Sequence, residues 1–372
     1  MALIPVLGKD PAGDRLQRIL NSPNYKDGSF QNLTPTEVTL KEASLPKMLK
    51  EYRNRPVNTA PNHPLPAIRT DLWGLPSDQL TIVWFGHSSY LVKINGFHIL
   101  VDPVFSGNAS PVSFFAKAFP GTDIYGVKDM PAINLVLLTH DHYDHLDYKT
   151  IRELIPTARH FCTSLGVGSH LEYWGIPAEK ITELDWGESW TIDKKTGQPP
   201  VASAISTTGQ PGADAITLTA TPARHFSGRT IKRGRTLWSS FVLKTGVAPG
   251  NSGAPAYSLF LGGDSGYEQH FKTIGEKYGP FDIAILECGQ YGKNWPYIHM
   301  QPEETVAAAI DLRAKYLLPV HWGKFSLALH PWNEPIQRVV TAAAGKGIAL
   351  TTPLIGQPVI LDKEYPHKKW WD

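Results

Sequence analysis

The run THDHYDHLD at residues 139–147 places imidazole and carboxylate side chains unusually close together. It follows the apolar segment INLVLL, which has the length and composition of a β-strand. Crowded titratable groups are unfavourable unless a cation holds them, and neutral imidazole with carboxylate suits zinc, iron or manganese. No cysteine lies nearby, which argues against a structural zinc site. The run therefore predicts a catalytic metal site whose ligands are His140, His142, Asp144 and His145.

Three more residues of the metal-binding type stand at the ends of other apolar runs. His225 follows ITLTATPA, Asp264 ends YSLFLGGD and His321 ends KYLLPVH. Taken alone, Asp264 before Ser265-Gly266 is equally well explained as a turn residue. Metal sites in α/β folds gather at strand ends, so the joint occurrence of all three favours a shared coordination shell.

Differences in composition divide the chain into three regions. Residues 1–75 are rich in proline, asparagine and charge, with one helical stretch near 36–52. We interpret them as an extended lead-in that wraps the core. Residues 76–360 are interpreted as the domain that carries the metal residues, and residues 361–372 as a tail.

Short apolar runs of strand length recur from residue 80 onward, and three predicted helices, at 146–156, 164–174 and 302–314, separate several of them. Pro302 stands at a good first helical position, because its missing N–H would have no partner there. Strands without helices come first and strand–helix alternation follows. This order predicts an α/β sandwich of two mixed β-sheets with helices on the outer faces. Two polar segments with glycine and proline, 193–214 and 246–256, are predicted loops.

Charge and cysteine content narrow the classes of function. The formal net charge of +2 is too small to indicate a nucleic-acid partner. Only two cysteines occur, Cys162 and Cys288, and their separation favours a reducing compartment without disulfides. No signal peptide and no apolar window of about 18 residues is found, so a cytoplasmic location is expected. The segment PVSFFAKAFPG at 111–121 suits either peripheral membrane contact or a core-packed loop.

The HxHxDH pattern, followed by a distant His, Asp and His at strand ends, resembles the metallo-β-lactamase superfamily over about residues 80–350. The resemblance implies an αββα sandwich with a dinuclear site at one edge of the paired sheets. Matched by position, the first metal would be held by His140, His142 and His225. The second would be held by Asp144, His145 and His321, with Asp264 bridging both.

Further stretches are similar to the N-acylphosphatidylethanolamine-hydrolysing phospholipase D group and its bacterial relatives. They are WFGHSSYLV, ILVDPVFS, PARHFSGR, GGDSGY, the segment 299–335 and the lead-in SPNYKDGSFQNL. This resemblance implies hydrolysis of a phosphodiester, either N-acylphosphatidylethanolamine-like or another small one. The predicted loops 193–214 and 246–256 depart from the group's pattern and leave the substrate open.

The implied cofactors are two divalent metal ions, with zinc favoured over manganese or iron. Two cations about 3.5–4 Å apart share a water and lower its pKa to about 7, which supplies a bridging hydroxide. No side-chain nucleophile is needed, and the sequence has no GxSxG motif. The same site would equally serve a lactonase or another ester hydrolase, which is the alternative function. A non-catalytic scaffold is disfavoured because no ligand position is broken.

Two related activities are disfavoured by single features. Class B β-lactamases typically carry Cys at the position of the bridging Asp264. A tRNA-processing nuclease would be expected to carry a basic arm, and neither predicted loop is strongly basic. The partner is therefore expected to be a small-molecule or lipid phosphodiester, and the oligomeric state, including a homodimer, stays open.

Four residues near the motifs have less certain roles. His87 is expected either to orient a metal ligand or to fix a turn. His299 is a candidate catalytic residue, together with Asp144 and Asp264, because it could contact the substrate phosphate or protonate the leaving group. Trp322 is predicted to form a wall of the site, and Lys324 to be a solvated surface charge.

Overall fold

The computed structural model describes residues 5–41, 43, 45–193, 215–229, 232–246 and 256–372. The predicted loops 193–214 and 246–256 therefore fall almost wholly outside the described residues. In chain order the strands are β1 (Tyr25–Lys26), β2 (Ser29–Phe30), β3 (Thr81–Trp84), β4 (Tyr90–Ile94), β5 (Phe97–Val101), β6 (Leu135–Leu138), β7 (His160–Ser164), β8 (Ile181–Leu184), β9 (Ser189–Asp193), β10 (Ala215–Thr221), β11 (Ser240–Thr245), β12 (Ser258–Leu261), β13 (Phe281–Glu287), β14 (Ala314–Val320), β15 (Ala349–Leu350) and β16 (Pro358–Ile360).

The α-helices of the described residues pack around these strands. They are α1 (Gly13–Leu20), α2 (Leu45–Arg53), α3 (Tyr148–Leu154), α4 (Gly168–Tyr173), α5 (His270–Tyr278), α6 (Pro302–Asp311) and α7 (Glu334–Lys346). Short 3₁₀ turns lie at Pro5–Leu7, Val57–Thr59, Val127–Asp129 and Ala178–Lys180.

Two seven-stranded sheets form the body of the molecule, with the orders β16-β3-β4-β5-β6-β7-β8 and β15-β14-β13-β12-β11-β10-β9. Each sheet is mixed: β3, β4 and β5 pair antiparallel while β5 to β8 pair parallel, and β12 to β15 pair parallel while β9 to β12 pair antiparallel. The predicted αββα sandwich of two mixed sheets is confirmed.

Strand β6 illustrates why the sheets are covered on both faces. All four of its residues are buried, and they alternate between two cores as the two-residue period of a strand requires. Leu135 and Leu137 belong to the core between the sheets, together with residues of β12 such as Leu259. Val136 and Leu138 pack outward against the helix layer that includes Ile151 of α3.

Two predicted helices differ from the structure. Among the described residues of the stretch 36–52, the helix begins at Leu45, which places Pro46 in the first turn, where its missing N–H is tolerated. The predicted helix 164–174 is reduced to α4, and Ser164 closes strand β7, whose five residues are all buried. A short apolar strand and a short helix have no distinct periodicity, so the boundary between them was misplaced.

The two ends of the chain pack onto the sandwich. Ile19 of α1 and Phe30 of β2 share a small core with Leu165 and Trp238. At the other end, Trp371 is buried and its ring contacts Trp322 edge to face, with centroids 5.8 Å apart.

Candidate metal centre

The carboxyl ends of six strands meet at one edge of the sandwich. In the first sheet β3, β5 and β6 run in the same direction, and in the second sheet β10, β12 and β14 do. Each of the six is followed closely by a candidate polar residue: His87, Asp102, His140, His225, Asp264 and His321. All six residues are buried. The pairing of the strands thus brings residues that are distant in sequence together in one cluster.

Three ring nitrogens converge on one point of this edge. Nδ1 of His142 lies 3.0 Å from Nε2 of His140 and 3.1 Å from Nε2 of His225. Burial lowers the pKa of His142 to about 4 and the pKa of His140 and of His225 well below the ordinary value, so the rings are neutral. Three neutral imidazole nitrogens cannot all satisfy each other by hydrogen bonds, since each neutral ring has a single N–H. A cation bound between them would satisfy all three.

The second group of candidate ligands lies next to the first. Nε2 of His145 is 3.6 Å from Oδ2 of Asp144, and Nε2 of His321 is 4.0 Å from the same oxygen. Nε2 of His145 and Nε2 of His321 are buried atoms without a hydrogen-bond partner among the described residues. Buried imidazole nitrogens without a hydrogen-bond partner that face a carboxylate fit the donor set of a metal site.

Asp264 connects the two groups through its two carboxylate oxygens. Oδ2 lies 3.7 Å from His225 Nε2 and 3.8 Å from His140 Nε2, whereas Oδ1 lies 3.1 Å from His145 Nε2 and 3.2 Å from His321 Nδ1. Neighbouring ligands of a tetrahedral ion with bonds of about 2.0–2.2 Å stand about 3.3–3.6 Å apart. The residues therefore fit two cations that share Asp264.

Charge balance also favours bound cations. Burial raises the pKa of Asp264 to about 6, against the opposing influence of His145. The pKa of His145 is raised well above its ordinary value, because Asp264, Asp144 and Asp102 outweigh its burial. The pKa of Asp144 is held below its usual range by His145 and His87, although burial opposes this. The buried carboxylates Asp102, Asp144 and Asp264 outnumber the protonated histidine beside them, His145. Divalent ions would balance the remaining negative charge.

Several neighbours orient the candidate ligands. Nδ1 of His225 donates to the carbonyl of Ile298 at 2.8 Å, which leaves Nε2 facing the site. Nε2 of His87 lies 3.0 Å from Oδ2 of Asp144, so the ring contacts a candidate ligand from outside. The structure also brings His87, Asp144, His145 and His321 together closely enough for His87 itself to be a ligand.

Asp102, Glu287 and Asn32 were missed by sequence reasoning. Asp102 contacts Nδ1 of His145 at 2.8 Å, and Asn32 hydrogen-bonds both the N–H and the carbonyl of His225. Asp102 could have been found, since it directly follows strand β5 within ILVDPVFS. Glu287 could also have been found, since it ends strand β13 within FDIAILE. Asn32 gave no such signal, because only the folded chain brings it to the site.

His299 stands beside the candidate ligands and is paired with Glu287. Its Nδ1 lies 3.1 Å from Oε2 of Glu287, and the histidine lies within reach of Asp264 and His321. Glu287 is fully buried and accepts hydrogen bonds from the N–H groups of Ser265 and Met300. Burial raises the pKa of Glu287 well above its ordinary value and lowers that of His299. The opposite shifts and the short distance favour a single proton placed between Nδ1 and the carboxylate.

Two predictions about the strand end at His321 are wrong. Lys324 is not a surface charge: its side chain is 1% exposed and Nζ donates to the carbonyls of Val104 and Phe85. Trp322 is buried among Trp84, Trp370 and Trp371, away from the cavity, and is not a wall of the site. The left-handed backbone of His321, with φ of +67°, turns the chain so that the residues after it enter the interior.

The candidate ligands open into a cavity of about 260 Å³. Ligand-type side chains form its floor, and its walls are largely apolar, with contributions from the lead-in and α2. The wall residues are Val38, Thr39, Met48, Phe226, Arg233, Gln290, Trp295, Ile298 and Leu327. The thiols are not involved, since Cys162 and Cys288 are buried and burial raises the pKa of each.

A two-sheet sandwich with a histidine and aspartate cluster at the carboxyl ends of its strands defines a class of metal-dependent hydrolases. The family model described as "Beta-lactamase superfamily domain" matches residues 98–322. The chain belongs to this metallo-β-lactamase superfamily, and it is a metal-dependent hydrolase of that superfamily.

Similar proteins support this assignment. The chain is 36% identical to an uncharacterized protein of Mycobacterium tuberculosis, over 98% of this chain and 91% of that one. It is 31% identical to the N-acyl-phosphatidylethanolamine-hydrolyzing phospholipase D 1 of Caenorhabditis elegans, over 67% of this chain and 65% of that one. Among solved structures, the metallo-hydrolase Igni18 of Ignicoccus hospitalis aligns with a TM-score of 0.55 and 19% identity, over 77% of this chain and 100% of that one.

Proposed function

We propose that the protein is a dinuclear phosphodiesterase of the phospholipase D type, with two zinc ions, or manganese or iron in their place. The main support for a dinuclear site is that the two carboxylate oxygens of Asp264 face different groups of histidines. Oδ2 faces His140 and His225, and Oδ1 faces His145 and His321. The choice of a phosphodiester draws support from the similarity to the C. elegans phospholipase D. N-acylphosphatidylethanolamine-like compounds and other small phosphodiesters are the proposed substrates.

When bound, the two cations would activate a water and neutralise charge on the phosphoryl oxygens. The chain supplies the geometry. His140, His142 and His225 present neutral nitrogens to one cation, and Asp144, His145 and His321 face the other. The apolar walls at Phe226, which is half-buried, and Ile298, which is buried, limit the space for water beside the candidate ligands, which strengthens these electrostatic interactions.

His299 is the proposed proton carrier for the leaving alcohol. Its Nδ1 is anchored by Glu287, which leaves Nε2 on the side of Asp264 and His321. When the proton between Nδ1 and Glu287 resides on Nδ1, Nε2 can accept a proton. When it resides on Glu287, Nε2 can hold one. A positioned histidine of this kind contributes about 10²–10⁴-fold to a rate.

Exposed aromatic residues support an amphiphilic substrate presented at a membrane surface. Phe114 and Phe115 are 77% and 43% exposed, and the Phe115 ring contacts Tyr52 of α2. No described helix has the length and apolarity needed to cross a membrane. Peripheral contact predicts that a double Phe114→Ser, Phe115→Ser variant loses sedimentation with phosphatidylglycerol vesicles, while Ile310→Ser on α6 retains it. Equal sedimentation of all three proteins would contradict this contact.

Assays of the metal-loaded protein test the proposed reaction. Bis(p-nitrophenyl) phosphate should be hydrolysed and a panel of lactones should not, whereas lactone turnover with an inert phosphodiester would overturn the proposal. Asp264→Asn should lose one of the two metal equivalents and about 10²–10³-fold in kcat. Asp282→Asn is a matched control, because Asp282 is the second residue of β13 and contacts Lys315 at the opposite edge of the sheet.

A further inference from the structure

Arg233 is the single lysine or arginine among the described residues that line the metal cavity. Arg233 is an exposed side chain. Its guanidinium has no carboxylate partner and no hydrogen bond within the described part of the chain, and it lies over the Phe226 ring. A guanidinium offers five N–H donors in a rigid fork that matches an oxyanion. An unpaired one at a substrate cavity is suited to bind such a group.

Phe226 fixes the position of Arg233 relative to the candidate ligands. The guanidinium carbon lies 5.0 Å from the centroid of the Phe226 ring, in cation–π contact. The same ring contacts His142, with centroids 4.4 Å apart, and His225, with centroids 5.0 Å apart. The Arg233 guanidinium is therefore separated from the candidate ligands by the width of an aromatic ring. At that distance it suits a substrate group other than the phosphoryl group that the metal centre attacks.

A second cleft of about 180 Å³ lies on the other side of Arg233. It shares Val38, Phe226 and Arg233 with the metal cavity, so the two spaces are neighbours. Its remaining lining is mostly polar and comes mainly from the β2 region of the lead-in: Ser29, Phe30, Gln31, Asn32, Pro35, Thr36, His225, Gly234 and Trp238. A polar cleft next to an apolar cavity would admit a charged arm of a substrate.

We propose that Arg233 binds a second oxyanion on the substrate, seated toward the cleft between the lead-in and the residues Phe226, Gly234 and Trp238. This inference rests on the proposed phosphodiesterase function and narrows it. The preferred phosphodiester carries a carboxylate or phosphate on one arm, a few bonds from the phosphorus that the metal centre attacks. Arg233 determines specificity, and it is not needed to activate water.

Two p-nitrophenyl phosphodiesters that differ only at the end of the second arm test the proposal. One has a propyl arm and the other a 2-carboxyethyl arm with the same three-carbon chain. The wild type should prefer the carboxyethyl compound through a lower KM. Arg233→Gln should raise that KM about 10-fold or more, as expected for the loss of a charge-assisted pair, and leave kcat unchanged. Arg233→Lys should retain part of the preference, because a lysine keeps the charge without the fork.

Arg235→Gln is the matched control, since Arg235 lies two residues away, its guanidinium faces Tyr25, and it lines neither space. Binding is measured in parallel by calorimetry with two non-hydrolysable ligands, propylphosphonate and 2-carboxyethylphosphonate. If neither phosphodiester is turned over, the proposed function fails while the calorimetry still tests Arg233. Equal binding of the two phosphonates by the wild type, or the same loss for both in Arg233→Gln, would overturn the inference.

Discussion

Oδ2 of Asp102 lies 2.8 Å from Nδ1 of His145, and the two side chains are almost completely buried. The same carboxylate accepts hydrogen bonds from the N–H and the hydroxyl of Thr139, the residue that precedes the metal motif. Asp102 therefore sets both the proton position on His145 and the start of the loop that carries His140 and His142. Nε2 of His145 is left facing Asp264.

This relationship predicts the effect of Asp102→Asn. The amide cannot accept as strongly from His145, so the ring loses its fixed orientation and part of its basicity. We expect metal affinity and kcat to fall by about 10–100-fold, as is usual for partners of metal-binding histidines. Chelator competition gives the affinity. Unchanged affinity would show that His145 does not depend on Asp102.

Asn32 gives a second prediction, because it ties the lead-in to a candidate ligand. Its amide accepts from the N–H of His225 at 3.0 Å and donates to the carbonyl of His225 at 2.8 Å. Asn32→Ala should lower metal affinity and should lower the free energy of unfolding by about 1–3 kcal/mol. Gln31→Ala is the control, since the Gln31 amide bonds only within the β1–β2 hairpin. Equal effects of both changes would contradict a specific role for Asn32.

His299 is predicted to act on protons without being needed to hold a metal. His299→Asn should lower kcat by about 10²–10⁴-fold while elemental analysis still finds both metal equivalents. Glu287→Gln should have a smaller effect in the same direction, because a glutamine can accept from Nδ1 but cannot exchange the proton. Loss of a metal equivalent in His299→Asn would identify His299 as a ligand instead.

Lys324 predicts a dependence of stability on pH. Burial lowers its pKa from 10.5 to about 8, although Asp123 and Asp147 oppose the shift. Between these values the unfolded chain binds the proton and the folded chain does not, so stability rises with pH. The burial penalty is fully present below about pH 8 and disappears as the pH approaches 10.5.

The measurement compares wild type with Lys324→Met by denaturant titration at pH 7 and pH 10. The difference between their free energies of unfolding should move in favour of the wild type by about 2 kcal/mol. Lys315→Met should give no such change, since Lys315 is exposed and pairs with Asp282, which raises its pKa. A flat difference for Lys324→Met would mean that the folded chain keeps the Lys324 proton up to pH 10, so that the pKa of Lys324 is not lowered.

The sequence alone determined the fold class and the candidate ligands. His140, His142, Asp144 and His145 occupy one tight loop, and the residue types needed for chemistry follow apolar runs that are long enough to be strands. Parallel strands bring their carboxyl ends to one edge, so the meeting of these residues follows from local signals. Boundaries such as the start of α2 at Leu45 were less certain, since short elements have weak periodicity.

Only the tertiary structure decided which side chains face inward and what they meet. Lysine is usually a surface residue, yet the turn at His321 brings Lys324 into the interior, where Nζ donates a hydrogen bond to the carbonyl of Val104. The pairings of Asp102 with His145 and of Glu287 with His299 join different strands and loops. Arg233 lines the metal cavity and lies over the Phe226 ring, a contact between residues seven positions apart. Burial, pKa and cavity shape depend on contacts between segments far apart in the chain, and a local pattern of residues carries no information about those contacts.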